Sequence, residues 1–316
     1  MTEDSYFMGK HFEFYGNVWE ALSPNTSKLV SKAITYGIHK GTPIFSQTFT
    51  NQYLTGYIYR EKESSPIAFV NITIKEDGQN VFATGYPVFK GAENKMILKD
   101  MYRWNVEAEG EMSAQVTINE GYLLNFHNPF FAFDSQNFEF NKPQNICLAA
   151  LALNLNGLQE TSYEINEGPV FEENLQKFLS ENPNKTAKDY KPEKIYIDKN
   201  LTRMMMPSDY VSEFHGIGQI KEISKTKIFG ETITILKTDF GHACDNDSLF
   251  INIYAANHVL KDFIPQIGDG IEATLWITGY FTEEKNDTRF YRTEKTLSGG
   301  LIAAAKRLFL SLHDKS

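Results

Sequence analysis

Two cysteines in 316 residues, Cys147 and Cys244, are too few for a disulfide framework and read as idle or buried thiols of a cytosolic chain. A basic surplus is missing too: 31 Lys and Arg stand against 40 Asp and Glu, a formal net charge of -9. Nucleic-acid binders usually carry the opposite balance, because phosphate contacts displace counterions. No apolar run approaches the roughly 18 residues that span a bilayer. The opening stretch, MTEDSYFMGKHFEFYG, has early acids and lacks the apolar centre of a signal peptide. The reading is a cytoplasmic protein with no membrane partner.

Motifs that carry chemistry are equally scarce. There is no Gly-x-Ser-x-Gly elbow and no phosphate-binding loop, and Gly216-Ile217-Gly218 lacks the third glycine of a dinucleotide fingerprint. The seven histidines show no helical zinc spacing. His242 and Cys244 would supply two ligands on one loop, but a structural zinc needs four, and only Cys147 remains. Asp245 and Asp247 lack the glycine and glutamate of a calcium loop. No metal and no cofactor are expected. A dyad of Cys244 with His242 or His258 is the one arrangement left for an enzyme, a Cys/His hydrolase. The expected protein is not an enzyme.

What the chain has in quantity is aromatic residues, 14% of the total with 24 Phe and 16 Tyr, which favours pleated surfaces. The fold class expected is mostly β with a few helices. Residues 11–22 read as a strand, and Ser23-Pro24-Asn25-Thr26-Ser27 as the cap of a helix with Leu29, Val30, Ala33 and Ile34 on its apolar stripe, closed by Gly37. Residues 54–60 and 67–75 are strands, and Glu76-Asp77-Gly78-Gln79 turns the chain into a return strand over 81–86. A second hairpin rises from Tyr102 to Ile118 and returns over 122–126. Glu107, Glu109 and Glu111 lie on its rising arm, two residues apart, and read as a solvated sheet face. The phenylalanines of PFFAFDSQNFEF read as a core plug, and ICLAALALNL, 146–155, as a buried strand.

Gly168-Pro169 starts a helix with Phe171, Leu175, Phe178 and Leu179 on one face, followed by a polar linker through 207. The expected organisation is therefore a β-rich domain over 1–165, a helix and linker over 166–207, and a second domain over 208–316. That second domain has strands over 216–223 and 231–237, then the stretch LFINIYAANHVLKDFIPQIGDGIEATLWITGYF, 249–281. Within it come a strand, a helical turn, the turn Gly268-Asp269-Gly270 and a long strand. A fifth strand over 289–294 and an amphipathic C-terminal helix carrying Leu297, Leu301, Ile302, Leu308 and Phe309 complete the reading.

This order resembles an OB-type five-stranded barrel. A weak echo at an offset of 125 residues, Leu124 with Leu249 and Ile146 with Ile271, points to a second barrel-like domain in the first half. The resemblance implies a ligand face on strands two and three. With Leu249, Ile251 and Ile253 inward, Phe250, Asn252 and Tyr254 face outward, beside Thr232 and Thr234 of strand two and Lys221 of strand one. Arg289 and Arg292 form the local basic group. Residues 209–296 nevertheless hold nine Lys and Arg against fourteen Asp and Glu. A protein-interaction or assembly module is therefore expected, partnered by another protein or a second copy; single-stranded nucleic acid is the alternative.

Overall fold

The computed structural model describes residues 17–49, 52–104, 108–116, 123–137, 139–159, 161–164, 169–192, 194–197, 203–208, 210–241 and 248–282. The chain is mostly β. The first segment departs from expectation: residues 17–22 are helical (α1), because Val18, Trp19 and Leu22 bury at a helical spacing and not at a spacing of two. Helix α2 spans Thr26–Lys40 and buries Leu29, Ala33 and Gly37. Gly37 does not end it. A Cβ there would lie 1.8 Å from the Asn71 amide nitrogen, so the glycine lets the helix approach a strand closely.

That strand belongs to a four-stranded antiparallel sheet, β1 (Thr42–Phe49), β2 (Gln52–Tyr59), β3 (Ile67–Glu76) and β4 (Gln79–Phe89), in that order. The expected β3–β4 hairpin forms, with Asp77 and Gly78 both at positive φ, as a two-residue primed turn requires. Residues 67–73 of β3 are buried without a break, so both faces of this strand are covered there. Asn71 Nδ2 donates to the Ala33 carbonyl on the helix side.

The larger sheet has nine strands in the order β11-β12-β13-β14-β8-β15-β7-β6-β5. Here β5 is Ala92–Arg103, β6 Gly110–Gln115, β7 Leu123–Asn128, β8 Pro143–Gly157, β11 Met204–Pro207, β12 Glu213–Ile228, β13 Glu231–Asp239, β14 Phe250–Ala256 and β15 Gly270–Phe281. Two further pairings, β12 with β15 and β8 with β5, close it into two rings of five strands. One runs β5-β6-β7-β15-β8 and back to β5; the other runs β12-β13-β14-β8-β15 and back to β12.

The rings share the antiparallel pair β8–β15. Leu151 faces Trp276 in that pair, and the two residues are 125 positions apart, the offset of the internal echo. The long alanine-rich run of β8 is legible in this light: a strand belonging to two rings is buried on both sides, and residues 146–152 all are. Strands before residue 165 and after residue 207 thus hydrogen-bond in one sheet. In the second ring β8 pairs with both β14 and β15, the neighbours that a fifth strand over 289–294 would need; that segment lies outside the described residues, as does the expected C-terminal helix.

A short helix follows the third strand of each ring, α3 (Phe131–Asn137) after β7 and α5 (Asn257–Leu260) after β14. Phe130 and Phe131 are buried as expected, while Phe140 is exposed. Between the halves, α4 (Pro169–Glu181) starts at the expected proline, and Phe171 and Phe178 both pack on Tyr190. The stretch read as linker contains a 3₁₀ turn, Ala187–Asp189. It leads into β10 (Lys194–Ile197), which pairs with β9 (Thr161–Glu164).

Candidate functional site

The second ring carries an open cleft of about 690 Å³ where the outer faces of β12, β13 and β14 meet the loops before β3 and before β5. Its floor is set by register. Glu222 pairs with Lys237 and Lys237 with Asn252; Ser224 pairs with Ile235 and Ile235 with Tyr254. Directly paired residues point to one side of a sheet, so Glu222, Lys237 and Asn252 form one row and Ser224, Ile235 and Tyr254 the next. Lys90, Gly91, Ala92 and Glu93 make the opposite wall, with Ser64 and Pro66. Lys237 Nζ sits 2.6 Å from Glu222 Oε1 and 5.3 Å from the centre of the Phe250 ring.

This register sorts the residues expected at the site. Phe250 and Asn252 do line the cleft, half-buried. Tyr254 borders it but is 1% exposed: its hydroxyl donates to the Lys90 carbonyl at 2.9 Å and the Pro66 carbonyl at 3.3 Å, and its ring packs on Phe89 at 4.7 Å. Thr234 pairs with Ala255, which places it with Thr232 on the opposite face, toward the ring interior. The polar–apolar alternation of Glu231–Lys237 misled there. Ile235 is the outward residue, half-buried beside Tyr254 on the cleft floor.

Lys221 is exposed at a bulge between Ile220 and Glu222, with its amine 2.7 Å from Gln219 Oε1. Arg289 and Arg292 lie outside the described residues, as do His242 and Cys244. His258 is exposed, its Nε2 2.9 Å from the Glu20 carbonyl, and Cys147 is buried. Among the described residues no three His, Cys, Asp or Glu side chains stand close enough to hold a metal ion, and no helix is long and apolar enough to cross a membrane.

The equivalent face of the first ring is closed at Glu111 and His127, while Leu123 at its start is exposed, and sequence reasoning missed the buried pair. Glu109 and Glu111 are buried, not solvated; β4 lies over them, and nothing within their own stretch announces a strand some 25 residues upstream. Glu111 pairs with His127 across β6 and β7, with Oε1 3.3 Å from Nδ1, and its other oxygen accepts from Ser212 Oγ. The His127 ring stands edge-on to Tyr86 at 4.6 Å and stacks on Trp276 at 5.4 Å.

Asn128 Nδ2 donates to Asp134 Oδ2 at 2.8 Å, and the same oxygen accepts from the Phe281 amide at 3.3 Å. Burial lowers the His127 pKa to about 3, so the imidazole is neutral. Burial raises the Glu109 pKa to about 8, against the bond from Thr84 and with a contribution from Glu111, so that carboxyl holds its proton at neutral pH. The signal available in sequence was the Glu-x-Glu spacing opposite a lone histidine on the returning strand. It needed the β6–β7 register to become a pair.

The chain matches no protein-family model, no curated protein and no solved structure.

Proposed function

We propose that this is a non-enzymatic binding protein, a protein-interaction or assembly module built on two OB-type barrels that share strands. Both rings follow the OB order of strands one, two, three, five, four and back to one, with a helix between the third and fourth. Each ring's fourth strand is the other's fifth. A cytoplasmic setting suits a chain with only two cysteines.

One observation carries the interaction reading: the four-stranded sheet covers His127 on the third strand of the first ring and Tyr254 on that of the second, and beside Tyr254 it leaves the mixed-charge cleft. In an OB barrel that face is where an oligonucleotide would run. A sequence-independent track for single strands needs successive exposed aromatic rings and a basic groove. Here the Tyr254 ring and hydroxyl are spent on internal contacts, and Phe250 is capped by Lys237. Lys90, Lys225 and Lys237 share the cleft with Glu93 and Glu222. An extended protein segment of mixed polarity fits this lining better than a phosphate chain.

Fluorescence anisotropy with mixed-sequence single strands tests the choice. No measurable binding is expected at physiological salt. Tight binding that weakens steeply with salt, and that Phe250→Ala reduces by about 1–3 kcal/mol, would favour the nucleic-acid alternative.

A further inference from the structure

β12 runs on past one of its partners. Residues 213–219 pair with β15, and the Ile220 amide and carbonyl are then taken by the Asp269 carbonyl and the Gly268 amide. After the bulge between Ile220 and Glu222, only β13 lies beside the strand among the described residues. Residues 222–228 therefore form a free edge, with no further bulge and no proline.

The hairpin turn fixes which backbone groups face the free side. Ile228 and Glu231 close a two-residue turn whose Phe229 and Gly230 are both at positive φ, so that pair exchanges its hydrogen bonds inward. The register runs unshifted from there to Glu222. By alternation Thr226, Ser224 and Glu222 also bond β13, and the N–H and C=O groups of Ile223, Lys225 and Lys227 point outward. The same edge borders the cleft, which residues 222–226 all line.

Unpaired backbone invites strand addition, and the charges beside it decide which strand can add. In a chain of net charge -9, residues 219–230 hold three lysines against one glutamate. That glutamate, Glu222, is held by Lys237. Lys225 and Lys227 are exposed and make no ion pair among the described residues. A basic strand would be turned away here. So would the β12 of a second copy, which pairs antiparallel about Lys225 only by setting two ammonium groups face to face.

We infer, on the reading of the chain as an interaction module, that an acidic segment of a partner protein adds antiparallel to this edge with the pattern acid-x-acid-x-apolar. Run in that direction, the two acids meet Lys227 and then Lys225, and the apolar residue meets Ile223, which is half-buried against the core. The intervening residues fall on the other face, beside Thr226 and Ser224, and enter the cleft. They are uncharged, because an acid there would approach Glu222.

Amide hydrogen exchange of the full chain, followed by NMR with and without the end-blocked peptide Thr-Glu-Thr-Glu-Thr-Val-Thr, tests this. Slower exchange is expected at Ile223, Lys225 and Lys227, and no change with the peptide that carries Lys in place of Glu. Anisotropy of the labelled acidic peptide should show binding that weakens with salt. Lys225→Glu combined with Lys227→Glu is expected to weaken it at least about tenfold. Both positions are exposed, so this variant should keep the parent's circular dichroism and melting temperature. If the amides of Ile223, Lys225 and Lys227 keep their exchange rates in millimolar peptide, the inference falls. Should Phe250 and Asn252 respond in that same experiment, a partner still enters the cleft and the interaction reading stands without the edge. Amides already slow in the free chain also overturn the inference, because the chain itself or a second copy then fills the edge. Tight oligonucleotide binding counts instead against the interaction reading.

Discussion

The outer faces of β7 and β14 hold equivalent places in two rings of the same strand order, and they differ at one matching position: His127 is buried where Asn252 is half-open. On β7 the first sheet closes over the end of the strand, where His127, Glu111 and Glu109 are sealed among Tyr86, Trp276 and Ser212, while Leu123 at its start stays exposed. On β14 the cover stops at Tyr254, and Asn252 and Phe250 open into the cleft. The contrast shows that ring topology sets where a face is, while the added sheet sets whether anything can reach it. It also sets the chemistry. The sealed side holds Glu109 and His127 in neutral form because burial penalises charge, whereas the open side keeps Lys237 and Glu222 paired in contact with water.

The contrast breaks most severely at the residue where the rings meet. Trp276 lies fully buried at the centre of the β8–β15 pair and stacks on His127. Trp276→Ala is expected to cost about 3–5 kcal/mol, seen as a large drop in the urea midpoint. A loss below about 1 kcal/mol would mean that the two faces do not depend on a common centre.

The sealed face should announce itself in the pH dependence of stability. Burial lowers the His127 pKa from 6.5 in the unfolded chain to about 3, so its contribution is present above pH 6.5 and is lost as pH falls toward 3. Burial raises the Glu109 pKa from 4.5 to about 8, so its contribution is present below pH 4.5 and is lost as pH rises toward 8. Between 4.5 and 6.5 the two slopes oppose and cancel. From these two groups a plateau is expected there, followed by a loss of roughly 2 kcal/mol between pH 6.5 and 8. Chemical denaturation at stepped pH measures it. Glu109→Gln should flatten the alkaline limb, and a limb that survives the substitution would assign it to another group.

The open face should respond least. Lys237→Ala removes an ion pair in contact with water and a cation over Phe250, and should change stability by less than about 1 kcal/mol at any pH from 5 to 9. A loss of several kcal/mol in a thermal melt would mean that the cleft floor is structural and not free for a ligand.

Local pattern carried much of this fold. The β3–β4 hairpin was legible because Asp77-Gly78 permits the positive φ that the turn needs, and α4 because Pro169 is tolerated in a first turn. The strand expected over 249–254, the turn at Gly268 and the long strand after it also followed from alternation and turn residues, although the strand runs on through Ala255 and Ala256, which read as the start of the helical turn. The pairing of Leu124 with Leu249 and of Ile146 with Ile271 across a fixed offset already carried the repetition of the rings. Residues 17–22 were misread because aromatic alternation just upstream looked like a strand, while the burial of Val18 and Leu22 follows a helical turn.

What the amino-acid order determined alone was the set of elements and their near-neighbour turns, since those depend on periods and dihedral preferences within a dozen residues. Partnership was decided by tertiary structure. That β8 would serve as fifth strand to a ring beginning some 60 residues later, that Thr234 would face inward and Ile235 outward, and that Glu111 would meet His127 under Tyr86 all depend on contacts between distant segments. Whether an outward isoleucine such as Ile235 is half-covered, and whether a carboxyl such as Glu109 holds its proton at neutral pH, depends on what the fold packs against it. Both are properties of the packed molecule, which no window of sequence contains.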